Sequence, residues 1–272
     1  MERKFTVVEW NIRGAASLPW NNNYEIKKWV VDEILKDSPM CVVLTEFVVS
    51  KGWDYLQSEL ERKEYIWFVT STTAGNGILI AISKKSGFDY SDICNYNPSG
   101  YVFNNEILLG TDVPDFYEIR VKNNGTLFSI IGVRIRNDVY GTNTNYKQKQ
   151  FTVLDSYLCS LKHHVICIGD FNAYWPGIWK SNNNHTLPKT SRSYTLHTPP
   201  YNAIDGFSYV KSDGSKLQLD HLITNIEFNR VDVSYEWDFV NSMNGYAHLS
   251  KSDYKNIIGI PDHAILKVNM FM

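Results

Sequence analysis

Apolar residues along this chain fall in short runs, and most runs have the length or the alternation of β-strands. Phe5–Glu9, Cys41–Thr45, Tyr65–Val69, Ile78–Ile82, Tyr117–Val121, Leu127–Ile135, Val165–Gly169, Gln218–Thr224 and Ala264–Val268 read as strands. Two segments carry a helical period instead. Tyr24–Lys36 places Ile26, Trp29, Val30 and Ile34 on one face, and Tyr146–Leu161 does the same with Phe151, Leu154, Leu158 and Leu161. Both precede a strand, so the pattern predicts a mixed α/β protein. Clusters of Asn, Gly and Pro at Asn21–Asn23, Asn95–Gly100, Thr142–Asn145, Ser181–His185 and Thr198–Tyr201 predict loops. There is no internal repeat, and the asparagine-rich patches read as surface loops.

Composition adds bounds to this picture. With 272 residues, 43% of them hydrophobic and no shift in composition along the chain, residues 1–272 are expected to form a single domain with a sizeable core. The formal net charge of -2 excludes a protein that grips nucleic acid by overall charge, so attraction for a polyanion must be local or supplied by bound metal. Cys41, Cys94, Cys159 and Cys167 are scattered, and Cys41 and Cys167 sit in apolar runs; free thiols in a reducing compartment are the simpler reading. No run reaches the ~18 apolar residues of a membrane span, and the amino terminus lacks the apolar stretch of a signal peptide. The expectation is a cytoplasmic monomer.

Candidate chemistry lies where polar residues meet the ends of apolar strands, because a rigid strand end can hold a catalytic group in place. Asn11 follows FTVVEW, Glu46 sits within CVVLTEF, and Asp170 and Asn172 follow VICIG. Asp220 and His221 sit within LQLDHLIT, and Asp262 and His263 stand just before AILKV. Carboxylates and carboxamides converging from several strands beside a histidine suit a hard cation and a water nucleophile. Taken singly, Asn11 reads equally as a turn residue and Glu46 as a solvated strand end. Asp170 in GDFNA is harder to assign to structure, since a buried strand gains nothing in packing from a charge. His163, His164, His185, His197 and His248 read as surface or packing residues.

The ordered series WNIRG, LTEF, GDFNA, LDHL and PDHAIL resembles the signature set of the endonuclease/exonuclease/phosphatase superfamily, over roughly Val7 to Leu266. GDFNA is the most specific element. The resemblance implies a four-layer sandwich, in which two mixed β-sheets pack face to face with helices outside. It also implies a Mg²⁺-dependent phosphoesterase, with Mn²⁺ as a possible substitute. Glu46 would bind the metal with Asn11 beside it, and Asp262 would complete the metal or the proton-transfer network. Asp170 would orient or deprotonate the attacking water, and Asn172 would position phosphate and nucleophile. His263, supported by Asp220, would face a non-bridging phosphate oxygen.

The sequence departs from this pattern in the strand IIGVRIRN, where the family usually presents a histidine or tyrosine to the phosphate and this chain has Arg134. A guanidinium can grip a phosphate through two hydrogen bonds but cannot donate a proton to a leaving group. Pro261 replaces a frequent serine. Trp175 and Trp179 follow GDFNA, and Trp20 precedes an asparagine run. These rings could stack on unpaired bases while Lys147, Lys149, Lys180 and Lys189 meet backbone phosphates. A nuclease acting on DNA or RNA is therefore the first expectation. A phosphatase or phosphodiesterase for a small or lipid-borne phosphate is the second, and an inactive binding module on the same fold the third.

Overall fold

The computed structural model describes residues 4–13, 25–49, 51–70, 77–96, 102–103, 106–107, 114–137, 146–173, 194–203, 205–211, 213–239 and 261–272. In chain order the elements are β1 (Lys4–Asn11), α1 (Lys28–Leu35), β2 (Cys41–Phe47), α2 (Trp53–Arg62), β3 (Tyr65–Val69), β4 (Gly77–Ser83), β5 (Asp89–Tyr96), β6 (Val102–Phe103) and β7 (Glu106–Ile107). They continue with β8 (Asp115–Asn123), β9 (Thr126–Arg134), α3 (Tyr146–Ser160), β10 (His164–Asp170), β11 (Thr195–His197), β12 (Tyr209–Val210) and β13 (Lys216–Leu217). The last are β14 (Asp220–Thr224), β15 (Arg230–Glu236) and β16 (Ile265–Phe271).

Two six-stranded sheets form, in the orders β15-β16-β1-β2-β4-β3 and β11-β14-β10-β9-β8-β5. Both are mixed: β1 runs parallel to β2 and β9 parallel to β10, while the other pairings are antiparallel. The alternation of each strand decides which sheet face it serves. Val7, Cys41, Val43, Ile78 and Ile80 of the first sheet pack against Tyr117, Ile119, Ile130, Ile166 and Ile168 of the second. Gly132 lies in this interface, where a Cβ would sit 2.6 Å from Ile78 and 2.9 Å from Val43. Its missing side chain lets the sheets approach.

The outer faces carry the helices, completing the four-layer sandwich that the sequence led us to expect. Val30, Val31 and Ile34 of α1 and Leu56 and Leu60 of α2 cover Trp10, Val42, Leu44 and Leu79. Phe151, Leu154 and Leu158 of α3 cover Ile131, Val133, Val165 and Cys167. Helix α1 has only eight residues and no side-chain cap, below the ~12–15 at which an isolated helix becomes marginal in water. Burial holds it, at about 1.5–3 kcal/mol for each large apolar side chain removed from water.

Several boundaries differ from the sequence pattern. The first helix begins at Lys28 because Ile26 donates its N–H to Lys51 O at 2.8 Å, which keeps Glu25 and Ile26 out of the helix. Asn95 belongs to strand β5 rather than to a loop, and Gln218 and Leu219 precede β14. The sequence pattern also passed over α2, β5 and β15; α2 buries only Leu56 and Leu60, and β15 alternates charged with apolar residues on a sheet edge. Cys41, Cys159 and Cys167 are free thiols. Among the described residues no helix is long and apolar enough to cross a membrane.

Asp155 lies on the buried side of α3, 7% exposed, with Oδ1 unpartnered. Burial pushes its carboxyl up to about 6. Between the ordinary carboxylate value and pH 6 the folded state therefore holds a proton that the unfolded chain has lost, so stability falls as pH rises through this window. Asp155→Asn is expected to be stabilising by about 1–3 kcal/mol at pH 7.5, and the difference should vanish near pH 4. Thermal or urea unfolding of both proteins at the two pH values checks it; a difference independent of pH would contradict the assignment.

Candidate active site

The inner faces of both sheets change character at one end. In β1 the apolar row Phe5, Val7 continues as Glu9 and Asn11, and in β10 the row Ile166, Ile168 continues as Asp170. The strand register then aligns a polar row across the second sheet. Asp170 pairs with Arg134 on one side and with Asp220 on the other, and Arg134 pairs in turn with Asp115. Residues paired in register share a face, so all four side chains emerge where the two sheets meet. Parallel strands end and antiparallel strands begin at this edge, which is why residues far apart in sequence converge there.

Glu46 joins them through an irregularity. Leu44 and Phe47 both face the outer helices although two residues separate them, and the register of β2 against β4 shifts between them. Glu46 is the extra residue, in left-handed backbone at φ 49°. A bulge of this kind re-aims a side chain that strict alternation would have placed elsewhere. The Glu46 carboxylate reaches Arg134, with Oε1 2.5 Å from Nη2.

Glu46, Arg134 and Asp170 line a cleft of about 600 Å³ together with Arg13, Asn137, Lys147, Asn172, Tyr209, Lys211, Leu217, Leu219, Asp262 and His263. Asp170 is buried and heavily hydrogen bonded. Its Oδ1 accepts from the Asn172 N–H at 2.8 Å, and its Oδ2 accepts from the side-chain amides of Asn11 at 3.0 Å and Asn172 at 2.9 Å. The second Asn172 amide hydrogen goes to Ile135 O, and Lys147 donates to Asn172 O. Burial pushes the Asp170 carboxyl up to about 7; His263 and Arg134 oppose that rise, while Asp220 and Glu46 add to it.

His263 faces Asp170 from the first sheet. Its Nδ1 lies 2.8 Å from Asp220 Oδ2. Burial disfavours the imidazolium, but the Asp220 charge and hydrogen bond outweigh it and hold the ring well above the usual histidine value. The segment is pinned by Trp10 Nε1–H on His263 O at 2.8 Å and by the Tyr209 ring at 5.0 Å. Asp262 pairs with Arg13 at 3.6 Å.

The structure thus brings Asn11, Glu46, Arg134, Asp170, Asn172, Asp220, Asp262 and His263 to one place. His221 points to the opposite face, where Nε2 meets Ala173 O at 2.9 Å. Lys149 is exposed and does not line the cleft. Trp20, Trp175, Trp179, Lys180, Lys189, His185 and His248 lie outside the described residues.

Sequence reasoning missed Glu9, Asp115, Tyr209 and Lys211. Glu9 is fully buried and takes a hydrogen bond from Thr45 Oγ1 at 2.9 Å; burial, then Asp220, hold its carboxyl well above the ordinary range. A signal existed for it, since a charge continuing the apolar row of β1 has no packing reason to be there.

No family model matches this chain, and no curated protein matches it by sequence. Solved structures do match its fold. Truncated TDP2 from Caenorhabditis elegans aligns at 14% identity and TM-score 0.62, covering 99% of this chain and 98% of that one. The catalytic domain of human Nocturnin with bound sulfate aligns at 17% and 0.63, covering 99% and 95%, and ANGEL2, a 2′,3′-cyclic phosphatase, at 12% and 0.61, also covering 99% and 95%. TDP2 from D. rerio, complexed with a single-strand DNA product, aligns at 14% and 0.59 over 98% of each chain. At these identities the likeness shows the fold alone, the two-sheet sandwich that these proteins share with this chain.

Because Asp220 supplies the charge that keeps the buried His263 ring protonated, Asp220→Asn should lower the His263 titration midpoint to the usual imidazole value or below. The measurement is an NMR titration of the ring signals, with His263→Ala to assign them; a midpoint that does not move would refute the coupling.

Proposed function

We propose that this chain is a divalent-metal-dependent phosphodiesterase acting on nucleic acid, with Mg²⁺ or Mn²⁺ as its cation. The observation that supports it best is the opposition of Asp170 to the His263–Asp220 pair across a cleft that also presents Arg13, Arg134, Lys147 and Lys211. The near-neutral overall charge leaves attraction for a polyanion to such a local cluster. An open cleft carrying several cations suits a chain of phosphates better than one compact headgroup.

The donor set around Glu46 fits a hard cation. Glu46, Asp262 and Asn11 offer only oxygen as ligand atoms, the preference of Mg²⁺ and Mn²⁺. Asp170, Asp220 and His263 also bring ligand atoms within 4.8 Å of one another. There both Asp170 oxygens and His263 Nδ1 are hydrogen bonded, whereas Glu46 and Asp262 contact Arg134 and Arg13 through one oxygen each, so we assign the trio to proton and phosphate handling. A bound cation at Glu46 would neutralise charge on the phosphoryl oxygens.

The side chains divide the remaining work. Asp170, held by the amides of Asn11 and Asn172, accepts the proton of the attacking water, and its carboxyl near 7 matches that role around neutral pH. His263, kept cationic by Asp220, donates a hydrogen bond from Nε2 to a non-bridging phosphate oxygen. Arg134 binds the phosphate, and since it cannot yield a proton, departure of the leaving group relies on water or on the substrate. Asn172 acts chiefly through Asp170, its amide hydrogens being used within the protein. Trp175 is retained as a candidate stacking residue for a base.

A metal-supplemented screen over single- and double-stranded DNA, RNA, 2′,3′-cyclic phosphates, inositol phosphates and sphingomyelin tests the reading. Polynucleotide should be cleaved, and Asp170→Asn and His263→Ala should each lower turnover at least about a hundredfold, assayed below the melting temperature of each variant because loss of the His263 ring leaves Asp220 buried without its partner. Cleavage of small or lipid-borne phosphates alone would shift the substrate class. No hydrolysis of any of them would leave a binding module.

A further inference from the structure

Asp115 opens β8 and lies directly across from Arg134, the last residue of β9. A two-residue turn sets that register. Asn124 and Gly125 both adopt left-handed backbone, φ 50° and 79°, the conformation that tight hairpins of this kind require. Pairing runs unbroken from Asn123–Thr126 back to Asp115–Arg134, so the turn chemistry delivers Asp115 to the cleft edge.

The Asp115 carboxylate is shared by two guanidiniums. Oδ2 lies 3.3 Å from Nη1 of Arg134 and Oδ1 lies 3.1 Å from Nη2 of Arg136. Arg134 is therefore gripped from both sides, by Asp115 on Nη1 and by Glu46 on Nη2, with Asp170 4.0 Å from Nε. Two carboxylates on its terminal nitrogens restrict a side chain whose many rotamers are otherwise lost when it is immobilised. We propose that Asp115 is a positioning residue that orders Arg134, with Arg136 beside it, for contact with the substrate phosphate. This rests on the reading of Arg134 as a phosphate ligand. A guanidinium ordered before the substrate arrives binds with less loss of freedom on association.

The charge of Asp115 and its positioning act in opposite directions, and this makes the idea testable. A carboxylate at the cleft edge repels a phosphate, so if charge alone mattered, Asp115→Asn would tighten anion binding. If positioning dominates, it weakens binding.

The experiment is calorimetric titration of a phosphorothioate-linked DNA tetranucleotide, in EDTA, into the wild type, Asp115→Asn, Asp115→Glu, Arg134→Ala and the Asp115→Asn/Arg134→Ala double variant. Thermal midpoints are recorded alongside. Asp115→Asn is expected to weaken binding about tenfold, the effect of one charge-assisted contact. Asp115→Glu should recover part of that loss, and the double variant should bind no worse than Arg134→Ala alone. Unchanged or tighter binding by Asp115→Asn, with Arg134→Ala weakened, overturns this inference and leaves the reading of Arg134 intact. Unchanged binding by Arg134→Ala overturns both. Should Asp115→Asn melt below the assay temperature, Asp115→Glu decides: binding equal to or tighter than wild type refutes the proposal, and partial weakening supports it.

Discussion

The structure depends on the face-to-face packing of two sheets whose inner rows are apolar along their length and polar at one end. Ile78, Val43 and the bare Gly132 set how closely the sheets approach. Because close-packed interiors tolerate little rearrangement, that spacing fixes the width of the cleft at the end of the interface. Asp170 and Arg134 from one sheet and Asn11 and Glu46 from the other meet there on strand ends, and His263 joins them from the segment that leads into β16. A site built on strand ends inherits the rigidity of the core beneath it.

Burial then shapes the chemistry. Glu9, Asp170, Asp220 and His263 are all removed from water, where a lone charge is unfavourable and is offset only by an opposite charge or by hydrogen bonds. Asp220 and His263 meet that need for each other. Asp170 is ordered by two asparagines, and its carboxyl rises into the range useful for proton transfer. Glu9 Oε2 and Asp220 Oδ1 are both buried without a partner, so this region carries uncompensated polar burial. Such a concentration of perturbed groups in a cleft marks a candidate functional site.

Arg134 gives the site a character of its own. It stands among Glu46, Asp115 and Asp170, partly neutralising a cluster of acids that would otherwise repel both one another and a phosphate. As a permanent cation with a planar fork, it would bind a phosphate without taking part in proton transfer, which in the proposed mechanism leaves acid–base work to Asp170 and the His263–Asp220 pair.

Much of this was readable from the chain alone. Strand alternation and the helical period of α3 gave the mixed α/β pattern, and polar residues ending apolar runs marked candidate residues, because period-2 patterning and the burial it reports are local properties; the two-sheet sandwich was implied by the motif resemblance. The hairpin register that sets Asp115 opposite Arg134 was also encoded locally, in the Asn124–Gly125 turn, though a single aspartate beside a loop carries no mark of its partner. Other features were decided only by tertiary structure. The bulge that turns Glu46 into the cleft follows from Leu44 and Phe47 both being drawn into the helix-covered core. The early stop at the start of α1 follows from a hydrogen bond to Lys51, and the rise in the Asp170 and Glu9 carboxyls follows from burial between sheets. Each depends on a neighbour distant in sequence, and no local pattern can report the packing or the charge that such a neighbour supplies.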